Sequence, residues 1–188
     1  MNSDQVFLIA LGGNLPSKAG KPEKTLRLAM KHLQNAGGKD LSTSRFYSTP
    51  CFPAGAGPDY VNAAAMLSFA GGAHEFLAVL HRIEDEFGRE RHQRWGRRTL
   101  DLDLIAAGDQ VLPDRAGFQR WQALPPGAQS QITPDQLIIP HPRLQDRGFV
   151  LVPLADVAPN WCHPVLNKTV SQMLDEIPKA QLSDIVAL

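Results

Sequence analysis

Apolar runs and helical repeats alternate along the first part of the chain. The run QVFLIAL (5–11) stops at two glycines and an asparagine, which is typical of a buried strand ending in a turn. Apolar residues between 22 and 36 keep helical spacing, with a proline early and a glycine pair at the stop, and they predict a helix. LSTSRFYS (41–48) predicts a second strand.

The next segments continue this alternation. DYVNAAAMLSF (59–69) predicts a third strand, although its alanines leave a helix as the alternative. HEFLAVLHRIEDEF (74–87) places its large apolar residues on one helical face and ends at Gly88. TLDLDLIAA (99–107) alternates strictly and predicts a strand. The order β-α-β-β-α-β predicts an α+β fold, a ferredoxin-like α/β sandwich with a mainly antiparallel sheet and helices packed on it.

The remainder of the chain divides into an irregular and a regular part. Residues 113–136 are rich in proline and glutamine, and we expect a surface insertion and not a second domain. Apolar character resumes in LIIPHPRLQDRGFVLVPLADVAP (137–159), and TVSQMLDEI (169–177) predicts a short helix opened by Thr169. We therefore expect a single domain over residues 1–188.

Composition narrows the classes of function. The chain has 188 residues and a formal net charge of zero, so attraction of the whole molecule to nucleic acid or anionic lipid is not expected. No apolar run is long enough to cross a membrane, and no basic region precedes the first apolar run. Cys51 and Cys162 lack metal-ligand spacing. We expect a cytoplasmic monomer without nucleic-acid or membrane partners; an oligomer stays open.

Two aspartates follow a basic stretch in RWGRRTLDLDLI (94–105). On a strand, Asp101 and Asp103 share one face, because successive side chains point to opposite sides. Paired carboxylates repel each other unless a cation is present, and Mg²⁺ commonly binds through one or two carboxylates plus phosphates. The alternative is a solvated strand face. The opposite face, which we assign to the core, holds Leu100, Leu102 and Leu104.

Arginines crowd the segment just before these aspartates: Arg89, Arg91, Arg94, Arg97 and Arg98. A guanidinium group matches phosphate oxygens in bidentate geometry, so the cluster favours a phosphate site beside Mg²⁺. A solvated basic loop, or ion pairs with the upstream acids at 84–86 and 90, remains an alternative. No P-loop or dinucleotide fingerprint is present, so side chains and metal would hold a nucleotide.

Several segments together resemble the 6-hydroxymethyl-7,8-dihydropterin pyrophosphokinase family of folate biosynthesis. They are IALGGNL (9–15), FYSTP (46–50), PDYVNAA (58–64), GRERHQRWGRRTLDLDLI (88–105) and IPHPRLQDRGFVLVPLADVAP (139–159). The resemblance implies transfer of pyrophosphate from ATP to the hydroxymethyl group of the pterin, giving AMP, with two Mg²⁺ ions.

The resemblance also implies roles for individual residues. Asp101 and Asp103 match the aspartates that bind both Mg²⁺ ions, and Arg89 and Arg98 match catalytic arginines. The matched ATP-binding positions are Arg91, Trp95, Arg98, His141 and Arg147. The matched pterin-binding positions are Thr49, Pro50, Phe52, Tyr60, Asn62, Trp95, Asp101 and Phe149, with Tyr60 and Phe149 stacking on the ring. Two positions depart from the family's pattern. Arg97 stands where the family usually has a proline, and Gln136 stands where an arginine near the adenine is common.

Each matched residue also has a structural interpretation. Without the resemblance, Tyr60 and Phe149 would be core aromatics, Asn62 a turn cap and His141 a turn residue. Two rival functions also stay open: an RNA-binding ferredoxin-like module and another Mg²⁺-dependent phosphoryl-transfer enzyme. The zero net charge and the paired aspartates argue against RNA binding.

Overall fold

A computed structural model describes residues 4–51, 57–88, 98–125, 127–128, 132 and 134–188. The strands are β1 (Gln5–Gly13), β2 (Lys39–Thr43), β3 (Tyr47–Thr49), β4 (Tyr60–Phe69), β5 (Asp101–Ala107) and β6 (Val186–Ala187). The helices are α1 (Pro22–Asn35), α2 (Ala73–Glu86), α3 (Arg115–Gln122), α4 (Gly148–Val157), α5 (Val170–Asp175) and α6 (Lys179–Leu182), and a short 3₁₀ helix (Leu144–Asp146) precedes α4. Within these described ranges, no helix has the length and apolar character that crossing a membrane requires.

The strands form one sheet in the order β5-β1-β4-β3-β6, and β2 also pairs with β4. All pairs are antiparallel, so the predicted ferredoxin-like arrangement is confirmed. The predicted second strand is divided into β2 and β3. At the division, the Ser44 N–H donates to the Ala64 carbonyl at 2.9 Å, and the Ser44 hydroxyl accepts from the Ala64 N–H at 2.9 Å. A side-chain oxygen thus replaces the backbone carbonyl and interrupts the strand.

Apolar side chains cover both faces of the sheet. One layer packs against α1 and α2 and contains Leu100, Leu102 and Leu104, as predicted. The other layer lies between the sheet and helices α4 and α5. Strict alternation in β5 ends after Leu104, because Ile105 and Ala106 both belong to the second layer where the pairing with β1 shifts register.

The segment predicted as a surface insertion contains α3. The Asp114 carboxylate caps this helix by accepting the Gly117 N–H at 2.7 Å. Phe118 is fully buried and meets the ring of His163 edge-on at 5.4 Å between centroids. Arg115 also donates to the Pro164 carbonyl at 3.1 Å. These contacts dock the helix on the segment that precedes α5.

Candidate active site

The sheet register brings predicted residues of β4 and β5 into one row. Asp101 pairs with Gly12 of β1, and Gly12 pairs with Asn62 of β4. Residues paired in register across neighbouring antiparallel strands point to the same face. A Cβ on Gly12 would lie 3.0 Å from the Asn62 Oδ1, so a larger residue would push this amide away from its position. The row therefore sets a carboxylate and an amide on either side of an open strip of backbone.

The amide of Asn62 is held in a fixed orientation. Asn62 is 8% exposed, and its Nδ2 donates to the Thr49 hydroxyl at 2.8 Å. Thr49 is the last residue of β3, next to the exposed Pro50. The structure thus brings two predicted pterin residues into direct contact at the Asp101 end of the sheet. Because this amide bonds a neighbouring strand, the turn-cap alternative for Asn62 is not needed.

Positive side chains lie beside both aspartates. Arg98 forms an ion pair with Asp101. The guanidinium Nη1 of Arg147 lies 3.9 Å from the Asp103 Oδ2. The Arg147 guanidinium carbon also lies 5.8 Å from the centre of the Phe149 ring. Arginine and aspartate groups therefore share one surface, and Arg147 lies between Asp103 and a predicted pterin-binding aromatic, Phe149.

His141 is fixed by backbone hydrogen bonds on both sides. Its backbone N–H donates to the Ile105 carbonyl of β5 at 2.8 Å, and its ring Nδ1 accepts the backbone N–H of Arg143 at 3.1 Å. Burial, followed by the nearby Arg147 charge, lowers the pKa of His141 to about 3. The ring is therefore neutral near pH 7 and carries its proton on Nε2, which makes it a hydrogen-bond donor.

The predicted aromatic pair lies outside both apolar layers. Tyr60 is the first residue of β4 and is half-buried, and burial raises the pKa of its hydroxyl. Phe149 is the second residue of α4 and is 42% exposed. Neither ring behaves as an ordinary core aromatic. Four further predicted site residues lie outside the described part of the chain: Phe52, Arg89, Arg91 and Trp95.

The donor set on β5 fits a magnesium ion. Asp101 and Asp103 present carboxylates from one strand face, and their side chains are 19% and 42% exposed. In the part of the chain that the structure describes, no group of three histidine, cysteine or acidic side chains comes together. A metal held here would complete its shell with phosphate and water oxygens, which is the usual arrangement for Mg²⁺.

Two buried polar residues were not predicted as site residues, although Glu84 was considered as a possible ion-pair partner of the arginines. Asn14 is 3% exposed. Its Oδ1 accepts the backbone N–H of Arg98 at 2.9 Å, and its Nδ2 donates to the backbone carbonyl of Pro58 at 3.1 Å. Glu84 is fully buried and accepts the Leu102 N–H at 2.7 Å, between the two aspartates of β5. A signal existed for Glu84, because an acid four residues after Leu80 falls on the apolar face of α2.

A model of the family described as 7,8-dihydro-6-hydroxymethylpterin-pyrophosphokinase matches residues 8–159. The chain belongs to this family. A relative named 2-amino-4-hydroxy-6-hydroxymethyldihydropteridine pyrophosphokinase, from Synechocystis sp., is 35% identical over 171 residues, which are 90% of this chain and 75% of that protein. A protein of the same name from Haemophilus influenzae is 33% identical over 171 residues, 89% of this chain and 92% of that protein.

Solved structures agree with the pyrophosphokinase family at the level of the fold. The crystal structure of wild-type Plasmodium falciparum HPPK-DHPS matches 94% of this chain with a TM-score of 0.63 and 15% sequence identity. The chain spans 45% of that longer protein. The mixed architecture of helices on an antiparallel sheet is therefore shared with a much more distant sequence.

Proposed function

We propose that this pyrophosphokinase-family chain transfers the pyrophosphoryl group of ATP to 6-hydroxymethyl-7,8-dihydropterin in folate biosynthesis. The pterin hydroxymethyl oxygen bonds to the β-phosphorus and gives up its proton to water. The bond from that phosphorus to the oxygen bridging it to the α-phosphorus breaks, and AMP leaves with that oxygen. The row formed by Asp101, Gly12 and Asn62 carries the proposal. On one side of Gly12 it has a carboxylate suited to Mg²⁺, and on the other side an amide that can form hydrogen bonds with the edge of a heterocycle. The names of the relatives describe the same chemistry.

Asp101 and Asp103 hold two Mg²⁺ ions in this proposal. Bound there, the metal supplies Lewis-acid stabilisation of the phosphate oxygens and of the charge that develops during transfer. Arg98 and Arg147 neutralise the same carboxylates in the structure. When nucleotide and metal arrive, these guanidinium groups turn to the phosphates, which they match in geometry and charge.

The remaining nucleotide contacts are assigned to residues that precede and follow β5 in the sequence. His141 donates its Nε2–H to a phosphate oxygen as a neutral ring, since its Nδ1 is occupied by the Arg143 N–H. Arg89 and Arg98 stabilise the transition state by bringing permanent positive charge to the bridging oxygen as it becomes negative. Arg91, Trp95 and Arg147 complete ATP binding.

The pterin lies at the other end of the row. Asn62, oriented by Thr49, offers a donor and an acceptor to the ring edge. Tyr60 and Phe149 stack on the flat heterocycle, as suits a half-buried and an exposed ring near one site. Four other residues complete the pterin pocket: Pro50, Phe52, Trp95 and Asp101.

The nature of the nucleotide product tests this function. The protein is incubated with ATP, Mg²⁺ and 6-hydroxymethyl-7,8-dihydropterin, and the nucleotides are separated by chromatography. AMP that appears only when the pterin is present supports the proposal. ADP as the product, or no turnover by folded protein, contradicts it. A reaction without pterin serves as the control for unrelated ATP hydrolysis.

The protein acts as a single-domain cytoplasmic monomer in this proposal, without a nucleic-acid or membrane partner. The chain carries no net charge, and neither Cys51 nor Cys162 is in a disulfide, which suits a reducing compartment. Sedimentation of the purified protein at micromolar concentration tests the monomer, and a dimer mass contradicts it.

A further inference from the structure

The Asn14 side chain joins two segments that are far apart in sequence. Its Oδ1 accepts the Arg98 N–H at 2.9 Å, and its Nδ2 donates to the Pro58 carbonyl at 3.1 Å. The backbone N–H groups of Asn14 and Leu15 also donate to the Arg98 carbonyl, at 2.9 and 3.1 Å. With 3% exposure, this amide is shielded from water that could replace either bond.

The two segments belong to different halves of the site. Arg98 forms the ion pair with Asp101 and lies three residues before it, in the segment that leads into β5 on the nucleotide half. Pro58 lies just before Tyr60, which opens β4 on the pterin half. Asn14 therefore contacts the backbone that leads into each set of binding residues, and it contacts both at once.

The glycine before Asn14 makes this close approach feasible. A Cβ on Gly13 would lie 2.7 Å from the Thr99 carbonyl oxygen, closer than real contacts allow. Any larger residue at Gly13 would push the Arg98–Thr99 backbone away from β1. The Gly-Asn pair thus has a combined purpose: glycine admits the arginine segment, and asparagine holds it to the pterin segment.

We propose that Asn14 is a positioning residue that couples nucleotide binding to pterin binding. The inference rests on the proposed function. A ligand that orders one half of the site restrains Arg98 or Pro58, and the shared amide passes this restraint to the other half. The second ligand then meets a site that is already ordered and loses less conformational entropy on binding. By linkage, each ligand tightens the other by the same factor.

Asparagine is suited to this role because it donates and accepts with one rigid group. In Asn14→Asp, the carboxylate still accepts from the Arg98 N–H but places an oxygen against the Pro58 carbonyl. The variant therefore breaks the pterin arm and keeps the nucleotide arm. Asn35→Asp is the matched control, since Asn35 is an exposed residue at the end of α1.

The experiment measures the affinity for α,β-methylene-ATP with Mg²⁺, by titration calorimetry, without pterin and at saturating pterin. In the wild type, we expect pterin to tighten the analogue by about 10-fold or more, within the usual range of coupling between sites. In Asn14→Asp, we expect that factor to fall below about 2, while the affinity for the analogue alone changes by less than about 3-fold. Asn35→Asp keeps the wild-type factor.

The outcomes separate this inference from the proposed function. Failure of the wild type to bind either ligand overturns both. Binding of both ligands without coupling in the wild type, or undiminished coupling in Asn14→Asp, overturns only the role of Asn14. Equal weakening of both ligands with an unchanged factor marks a purely structural residue and also overturns it. If thermal melting shows that Asn14→Asp is unfolded, Asn14→Ser, which shortens both arms, is measured by the same criteria.

Discussion

Asp101 and Asp103 share a strand face but differ in their surroundings. Asp101 is the more enclosed and is ion-paired with Arg98, whereas Asp103 is 42% exposed and 3.9 Å from Arg147. Each carboxylate has an arginine near it, so neither folded-state charge is isolated. Removing one carboxylate therefore changes the charge available to a metal without leaving an unpaired negative group inside the protein.

Asp101→Asn and Asp103→Asn should each abolish most turnover while the protein stays folded. The amide keeps the shape of the carboxylate but loses the charge that attracts Mg²⁺. We expect kcat/KM for AMP formation to fall by at least about 100-fold, as for other losses of transition-state charge stabilisation. Asp109→Asn, an exposed change just beyond β5, is the control. Activity of both variants near the wild-type level would disprove the metal assignment.

His163 links acidity to stability. Its Nδ1 accepts the N–H groups of Val165 and Leu166 at 3.1 and 3.2 Å, and burial lowers the pKa of the ring to about 4. Protonation would place a hydrogen on Nδ1 facing two donors. Because the folded pKa lies below the unfolded one, the unfolded chain binds more protons in this window. The contribution of neutral His163 to stability is therefore fully present above about pH 6.5 and declines as the pH falls towards 4.

His163→Asn should reduce this pH dependence, because the asparagine oxygen can accept the same N–H groups without titrating. Urea unfolding at pH 7 and pH 4.5 measures the effect. We expect the free energy of unfolding to fall with acidification by about 1–3 kcal/mol less in the variant than in the wild type. His74→Asn, at an exposed position, should behave as the wild type. An equal decline in all three proteins would refute the role of His163.

Local patterns predicted some site residues and not others. Asp101 was predicted because strand alternation alone fixes the face of its side chain. Asn14 was not, because its partners lie 44 and 84 residues away and its role exists only once three segments meet. Glu84 depends in the same way on an N–H at the outer edge of β5. Helical spacing can therefore show that a residue such as Glu84 is buried, but it does not show which distant group that residue binds.

Among the elements, α4 is fixed to the sheet near its C-terminal end. The Asp156 carboxylate accepts from the Arg45 Nε and Nη2 at 3.1 and 2.9 Å and from the Tyr47 hydroxyl at 2.8 Å. Phe149 lies at the opposite end of the same helix. The attachment of Asp156 to β3 therefore helps to set the direction in which α4 presents this aromatic ring.

Tyr47→Phe should loosen α4 without touching the substrates. The hydroxyl donates at any physiological pH, because burial raises the pKa of Tyr47 to about 12. We expect a loss of about 1.5–3 kcal/mol in the free energy of unfolding, typical of a hydrogen bond to a charged group. The KM for pterin should rise by about 3-fold with kcat nearly unchanged, since binding and not chemistry is affected. Ser48→Ala, which removes a hydroxyl from the adjacent position of β3, is the control; an unchanged KM in Tyr47→Phe would contradict the prediction.

Most elements followed from periodicity, and the exceptions have local causes. β4 was ambiguous because alanine favours helices, but a strand covered on both faces carries a continuous apolar run, and the alanines of β4 belong to such a run. The division between β2 and β3 depends on one hydroxyl of Ser44, and the bulge near Ile105 on how β5 meets β1. Tertiary contacts decide such details, and composition does not encode them.

For the molecule as a whole, the sheet separates two apolar layers with different relations to the site. The layer under α1 and α2 stabilises the sheet on the face opposite to that of Asp101 and Asn62. The layer under α4 and α5 lies on the face of Asp101 and Asn62, and α4 also carries Phe149. Loss of packing in either layer lowers stability, but of the two layers the second is the one connected through α4 to Phe149, the aromatic that we propose stacks on the pterin.

Leu26→Ala in α1 and Leu151→Ala in α4 test this separation, because both leucines are 0% exposed and lose the same atoms. Each should lower the free energy of unfolding by about 2–5 kcal/mol, the usual range for a buried leucine. At a temperature where both variants are folded, Leu151→Ala should raise the KM for pterin by about 3-fold or more, and Leu26→Ala should leave it within about 2-fold of the wild type. Urea unfolding and initial rates of AMP formation measure the two effects. If both variants shift the pterin KM equally, the two layers act on the site through general stability, and α4 has no special role in presenting Phe149.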